Sequence, residues 1–511
     1  MLRLFYFTIF LFLIACSPDK ERIEIPSTFQ PPNTGAATGL TDDDYFALDN
    51  ISKYAVSNKL LATLYKGMPA DDFFDFSKGA SDPKLKINSN LIVTTLNSLN
   101  VEDPNYSQSI SRANELYFTD LDGSERVSPL EKPLSYLYEL PLSSEYFDMW
   151  MAYQLMNTIL FSPATEIETV DSSDAEAVFS HLFTWMQADL SIREIVNLHM
   201  LTQENWRRFR SPEDNVREMM EIYLNRFNDT EVEQAAIACK NWHLSEQSLG
   251  YRLIKTVDIN QQPLPLLERV DITTCEDFYL AVSQHIQLIP SVTLHVIQYL
   301  LPNSSSEKQI ELSAAISNAK PTTFRDLFLL LLSSKAYLLE ESKIKRFEEV
   351  LFNIAPRIYW VAHRRYFDVL NRNNAAAGAA STNLKQLNQR AMFYKLGRPM
   401  NVPVDTLSFA YYFRATRNAL FLDQRETGDE NNRSDGGWSA TAFSANVDVR
   451  TLSDRDRIHY TFLSVLSRLA TTEELITLEP LLANKFTVAK TSILFDYFSR
   501  LPELYTFKKI E

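Results

Sequence analysis

Cys16 is a thiol set where acylation chemistry needs one. It closes Leu13-Ile14-Ala15-Cys16 after a nearly continuous apolar run from Leu4, and the only charge ahead of it is Arg3. An apolar core of roughly a dozen residues suits a secretory signal and falls short of the roughly 20 that span a bilayer. Ala15 is small enough for a peptidase that cuts before a lipid-modified cysteine. On this reading residues 1–15 are removed, and Cys16 becomes the mature N-terminus and carries palmitate-like acyl chains. Each buried methylene contributes about 0.8 kcal/mol, so several chains hold a protein stably on a membrane. A plain secretory signal, or a signal anchor with a coincidental cysteine, is the competing reading. Ser17 follows, where an Asp would favour retention in the inner membrane, so the expected address is the outer membrane of a Gram-negative envelope.

If Cys16 is lipidated, Cys239 and Cys275 are the two thiols left. An exported compartment permits them to pair, and two buried free thiols are the alternative. The seven histidines are scattered and form no H-E-x-x-H or close pair, so no zinc site is expected from sequence. Asp120-Leu121-Asp122-Gly123 and Asp429–Gly436 have part of a calcium loop, but neither has the acid at its twelfth position, and ordinary turn chemistry accounts for both. Tyr411-Tyr412-Phe413 and Trp438 flank a long acidic loop where aromatics could stack on a glycan or simply pack. Arg217, Glu218 and Glu221 share one helical stretch. Arg217 and Glu221 lie at i and i+4, spaced for a surface ion pair or, less commonly, for holding a ligand. There is no nucleophile elbow, and 11 glycines without a G-x-G-x-x-G or P-loop leave no phosphate cradle of that kind. No cofactor is expected.

The net charge of −15, with no Lys/Arg cluster, argues against nucleic acid as a partner, because phosphate neutralisation dominates that binding. The positioning elements read as helices. Apolar residues recur at three- and four-residue spacing over 145–161, 174–209, 213–226, 229–240, 275–288, 306–318, 323–339, 341–370, 383–396, 406–421, 453–469, 472–484 and 488–499. Ser211 before Pro212 is a start signal, and Ser304/Glu307, Thr323/Asp326 and Thr471/Glu474 have capping-box spacing. Leu91–Thr94 and Lys255–Ile259 are the only stretches that suggest short strands or extended loops. Residues 16–44, rich in Pro, Gly, Ser and Thr, read as the lipidated cysteine and a flexible tether.

Residues 215–242 carry a family pattern. Asn215, Arg217-Glu218, Met219-Met220-Glu221, then Phe227 to Val232, Ala235-Ala236 and Trp242 resemble the bacterial family known as domain of unknown function eighteen hundred. Phe324–Leu327 with Ser333-Ser334, Lys345-Arg346-Phe347-Glu348-Glu349, Leu396–Pro399 and Leu501-Pro502-Glu503 extend the resemblance over about 210–505. Tyr223 stands where that family has His, Ile237 where it has Arg, Asn241 where it has Gly and Phe347 where it has Pro. The family has no established activity. The resemblance therefore implies a mostly helical exported protein, with Asn215, Arg217, Glu218, Glu221 and Trp242 as its motif residues and any site built on the missing His and Arg altered.

The expected fold is all-α, a large multi-helix array with long loops and few or no strands. It would comprise an N-terminal helical region over 45–210 and a C-terminal one over 211–511. The expected function is an envelope lipoprotein whose helical scaffold binds a partner protein or polymer. An enzyme with a site assembled across helices is the first alternative, and a glycan-binding outer-membrane lipoprotein the second.

Overall fold

Gly39 is the first described residue. In the computed structural model it bridges to Ser334, and Leu40 N–H donates to the Ser333 carbonyl at 2.8 Å. The structure describes residues 39–102, 137, 141–160, 172–350 and 452–510, apart from 69, 157, 227, 248–249, 257–259, 261 and 347–348. Cys16, both calcium-like loops, the aromatics at 411–413 and 438, Phe347, the 396–399 match and the helices expected over 383–396 and 406–421 lie outside the described residues.

Residues 42–44, the end of the stretch expected as tether, are helical. Thr41 and Asp44 form a reciprocal capping box that starts α1 (Asp42–Ala47), and Asp49 caps α2 (Asn50–Thr63) through Ile51 and Ser52 N–H. A short turn, α3 (Ala70–Phe73), and a small ladder of β1 (Phe74–Asp75) with β2 (Lys84–Leu85) follow. Next is α4 (Leu91–Ser98). The 91–94 segment, open to a strand reading, is helical because Asn90 accepts from Ile92 and Val93 N–H, and Ile92 and Leu96 turn one face inward. A cap and a buried face outweigh the weak β preference of Ile, Val and Thr.

The helical pattern over 145–161 is α5 (Ser144–Met156). The one over 174–209 divides into α6 (Ser172–Gln187), α7 (Ile192–Met200) and α8 (Gln203–Arg208). Asp189 at φ 54° and the side-chain caps Ser191 and Thr202 punctuate it. Ser211 caps α9 (Pro212–Leu224), with Pro at the first helical position as expected, and α10 (Asp229–Ala238) follows. Then comes a hairpin of β3 (Trp242–Gln247) and β4 (Gly250–Lys255), and a second of β5 (Leu264–Leu266) and β6 (Arg269–Ile272).

The chain returns to helices with α11 (Cys275–Gln284), α12 (Leu288–Leu300), α13 (Ser306–Asn318) and α14 (Phe324–Leu332). The α13 cap is Ser305, one residue after the expected Ser304; Ser304 Oγ instead donates to Glu341 at 2.6 Å. Thr323 forms the expected box. A π-turn (Ala336–Glu340) and β7 (Lys343–Ile344) come next, where sequence periodicity suggests the start of a long helix at 341. The last described stretch holds α15 (Asp454–Leu466), α16 (Thr472–Leu482), α17 (Thr487–Phe498) and β8 (Thr506–Phe507), which pairs with β7.

The fold is thus a largely helical array with four two-stranded antiparallel ladders among the described residues. Trp150 stacks edge-on against Phe328, and its Nε1 donates to the Thr63 carbonyl. Tyr54, Phe73 and Phe74 form one apolar cluster with Leu463. Each buried Phe or Leu contributes about 1.5–3 kcal/mol, so α2, α3 and α15 stabilise one another. Among the described residues no single helix is long and apolar enough to cross a membrane.

Candidate functional site

The family-like motif folds into a core knot. Asn215 is buried on α9 and accepts from the Tyr279 hydroxyl at 2.7 Å. Trp242 packs against Trp206 and Tyr279 with centroids 5.6 and 5.9 Å away, under the Lys255 ammonium at 4.3 Å. Cys239, which ends α10, is bonded to Cys275 at the head of α11. Tyr223 is buried, and desolvation raises its pKa. His199, also buried, is pushed down to about 3 by desolvation, with Arg208 and His181 adding to the effect, so it is neutral.

Arg217, Glu218 and Glu221 do not join this knot. Arg217 reaches Glu213 at 3.4 Å and Asp229 at 3.7 Å, and Glu221 is exposed. Those two acids come from the preceding turn and from the α10 start. Such half-exposed pairs contribute well under about 1 kcal/mol. Of the five motif residues, Asn215 and Trp242 are buried in the core, Arg217 and Glu218 are half-buried and Glu221 is exposed.

Charge converges elsewhere, where α2, the π-turn, β7 and the C-terminal segment meet. Lys59, Lys343, Lys345, Arg346, Glu341 and Glu349 are all buried. Lys343 Nζ contacts Glu349 at 2.7 Å. The Arg346 guanidinium lies 3.1 Å from the same carboxylate, and its backbone N–H donates to it at 2.8 Å. The guanidinium also donates to Gln154 and to the Tyr299 hydroxyl. Glu341 accepts from Asn303 N–H at 3.0 Å and from Ser304. Lys345 Nζ donates to the Leu504 carbonyl at 3.1 Å. Lys59 Nζ donates to the Glu341 carbonyl at 2.8 Å, at the end of the π-turn, and more distantly to Leu338.

Burying charged groups of this kind in a dry interior is costly. Burial pushes Lys343 down to about 8, which still leaves it charged at neutral pH. Glu349 is held below the usual carboxylate range by Arg346 and Lys343, which together outweigh its own desolvation. Lys59 is pushed down to about 7, first by burial and then by Lys343.

The sign of the linkage follows. Lys59 in the folded chain binds fewer protons than in the unfolded chain between pH 7 and 10.5, so its penalty on stability is full below 7 and is relieved as pH rises. Across that window wild type should gain up to about 1.4 kcal/mol per pH unit from this residue. Denaturant midpoints of wild type and Lys59→Met, measured from pH 6.5 to 9.5, should therefore move toward each other in favour of wild type. Parallel pH profiles would contradict the account.

Lys59 and Lys345 also line a groove of about 360 Å³, together with Arg468, Lys508, Lys509 and Glu503. Glu503 is engaged by Arg468 and Lys508, each at 2.6 Å, and Arg468 also holds Glu474 at 2.8 Å. Asn58 on α2 donates to Ser467 at 2.8 Å, tying the groove's two walls. Ser467 ends α15 with φ 57°, the bend that brings Arg468 to the groove.

Lys345, Arg346 and Glu349 lie in a segment that sequence comparison singled out. Lys59, Lys343, Arg468, Lys508 and Lys509 did not stand out, because they come from three distant stretches. The one local signal was Lys343-Ile344-Lys345, an alternation that fits a strand better than a helix. Among the described residues no three His, Cys, Asp or Glu side chains converge as a metal site. No family model, curated protein or solved structure matches this chain.

Proposed function

We propose that this chain is a lipid-anchored envelope protein whose helical body binds a partner protein or polymer. The observation that carries the reading is the cationic groove: among the described residues five basic side chains and one acid line it, on a chain whose net charge is −15. A concentrated field opposite in sign to the whole molecule is a recognition feature, since it steers and selects what approaches. Export is supported by the Cys239–Cys275 bond, which an oxidising compartment sustains, and by the Leu13–Cys16 signal.

The enzyme reading has one observation in its favour, a buried amine pushed down to about 7 beside a groove, as amine nucleophiles often are. The Lys59 ammonium is nonetheless spent on two carbonyls, which favours a structural and electrostatic role.

Fractionation tests the anchor. Wild type should sediment with outer membranes, and Cys16→Ala should appear in the soluble envelope or supernatant. A variant that stays membrane-bound exactly as wild type does would overturn the lipoprotein reading.

A further inference from the structure

We propose that the exposed side of α16, with the turn after it, is a membrane-contacting face that lays Ile476, Leu481 and Phe486 into the interfacial layer of the bilayer holding the anchor. The inference rests on the lipid-anchored reading above and names the face that the body turns to the lipid.

The helix itself sets these side chains apart. The Thr471–Glu474 capping box starts α16, and Leu475, Leu478 and Leu482 recur at three- and four-residue spacing on its buried side. That stripe packs toward α15 and α17. A surface helix with one side in the core carries polar residues on the other. Here the other side is largely apolar. Ile476 is 69% exposed, Leu481 51% and Phe486 73%, and Pro480 and Ala483 are exposed between them. The turn that carries Phe486 is fixed at both ends. Lys485 N–H donates to the Leu482 carbonyl, and Lys490 N–H in α17 donates to the Phe486 carbonyl, each at 3.1 Å.

Charge indicates what covers this side. The chain has 65 acidic residues, yet residues 480–495 carry no Asp or Glu. Glu473 lies at the opposite end of α16, and Glu479 on its flank is engaged by Arg455 at 3.4 Å. Lys485 is exposed beside Phe486. Anionic headgroups repel an acidic body and attract a lysine at the membrane surface. A lysine next to an inserted aromatic keeps its stem in the apolar layer and its ammonium among the phosphates. Val270 and Ile286, another strongly exposed apolar pair, fit lipid less well because Glu268 and Asp271 lie beside them.

Size argues the same way. Three side chains fall short of the roughly 800 Å² per partner that a stable protein interface buries. A bilayer needs no complementary surface, because each apolar side chain that leaves water contributes by itself. The contact is interfacial, since among the described residues no single helix is long and apolar enough to cross a membrane.

The experiment uses the full lipidated chain. With Cys16 acylated and Cys239 bonded to Cys275, a cysteine introduced by Thr477→Cys on the exposed side of α16 is the one reactive thiol. It is labelled with a polarity-sensitive dye, and the chain is reconstituted on phosphatidylcholine vesicles with and without phosphatidylglycerol. A second chain carries the dye through Ile286→Cys. On vesicles the dye at 477 should shift to the blue and lose most of its quenching by aqueous iodide, whereas the dye at 286 should do neither. Phosphatidylglycerol should enlarge the shift. Adding Ile476→Ser and Phe486→Ser, both at exposed positions outside the core, should return the 477 dye to its behaviour in solution while the chain still floats.

A floating chain whose 477 dye stays as quenchable as in solution would overturn the inference and leave the lipoprotein reading standing. So would equal protection at 286, a shift that phosphatidylglycerol diminishes, or protection that the double Ser variant retains. Protection that vanishes when the chains are diluted to fewer than one per vesicle would assign the face to a second copy, and would also overturn it. A chain that fails to float would overturn the lipoprotein reading and this inference with it, which separates the two failures.

Discussion

Replacing Glu349 with Gln should destabilise the protein by about 3–5 kcal/mol, the usual cost of leaving buried charge without its partner. The carboxylate is fully buried and serves three donors: Lys343 Nζ, the Arg346 guanidinium and the Arg346 backbone N–H. Gln keeps the shape and an acceptor oxygen, so the loss reports charge and not volume. With the carboxylate gone, Lys343 loses the interaction that raises its pKa, and Lys59 next to it loses a weaker one. Both then shed protons more readily, so the deficit should shrink as pH rises from 7 to 9. Replacing the ensemble with apolar side chains, Lys343→Met, Arg346→Met and Glu349→Leu together, should recover most of the loss. Denaturant midpoints at two pH values check both statements. A Glu349→Gln deficit under about 1 kcal/mol would mean that the cluster is hydrated and the burial argument fails.

The second large effect concerns Cys239 and Cys275. The bond closes a loop with a sequence separation of 36 residues. In the chain-entropy account a loop of that length stabilises by about 4 kcal/mol, mostly by restricting the unfolded chain. Both cysteines are buried, so Ala at both positions avoids burying a new hydroxyl. The double Cys→Ala variant should therefore lose about 2–4 kcal/mol, and reductant should bring wild type toward it and leave the variant unmoved. Alkylation of unreduced, denatured protein should modify neither residue. Uptake of two equivalents would contradict the pairing.

Helix identity was legible in this chain because it rests on local signals. Ser211-Pro212, Thr323 with Asp326 and Thr471 with Glu474 cap where their spacing says. Breaks were harder. The 174–209 pattern hides two interruptions, since apolar period continues through Asp189 and Thr202 while the backbone turns. Helix α12 has Pro290 in its first turn, where a missing N–H costs nothing, yet that proline reads as a stop.

The groove was illegible for a different reason. Lys59, Lys345 and Lys509 are 286 and 164 residues apart in order along the chain, and only packing of α2 and α15 with the β7–β8 ladder unites them. Meanwhile Arg217 on α9 also reaches Asp229 at the start of α10, a partner that helix spacing alone does not suggest. Sequence spacing specifies what shares a helix face; tertiary packing specifies what is buried together.

The central claim is an exported body held to a membrane by Cys16. Its most direct test is the mass of the N-terminal peptide of the protein isolated from membranes of its own host. The account predicts a peptide that begins at Cys16 and carries acyl chains on that residue. A peptide that begins at Met1, or one that begins at Cys16 or beyond without acyl mass, would contradict it.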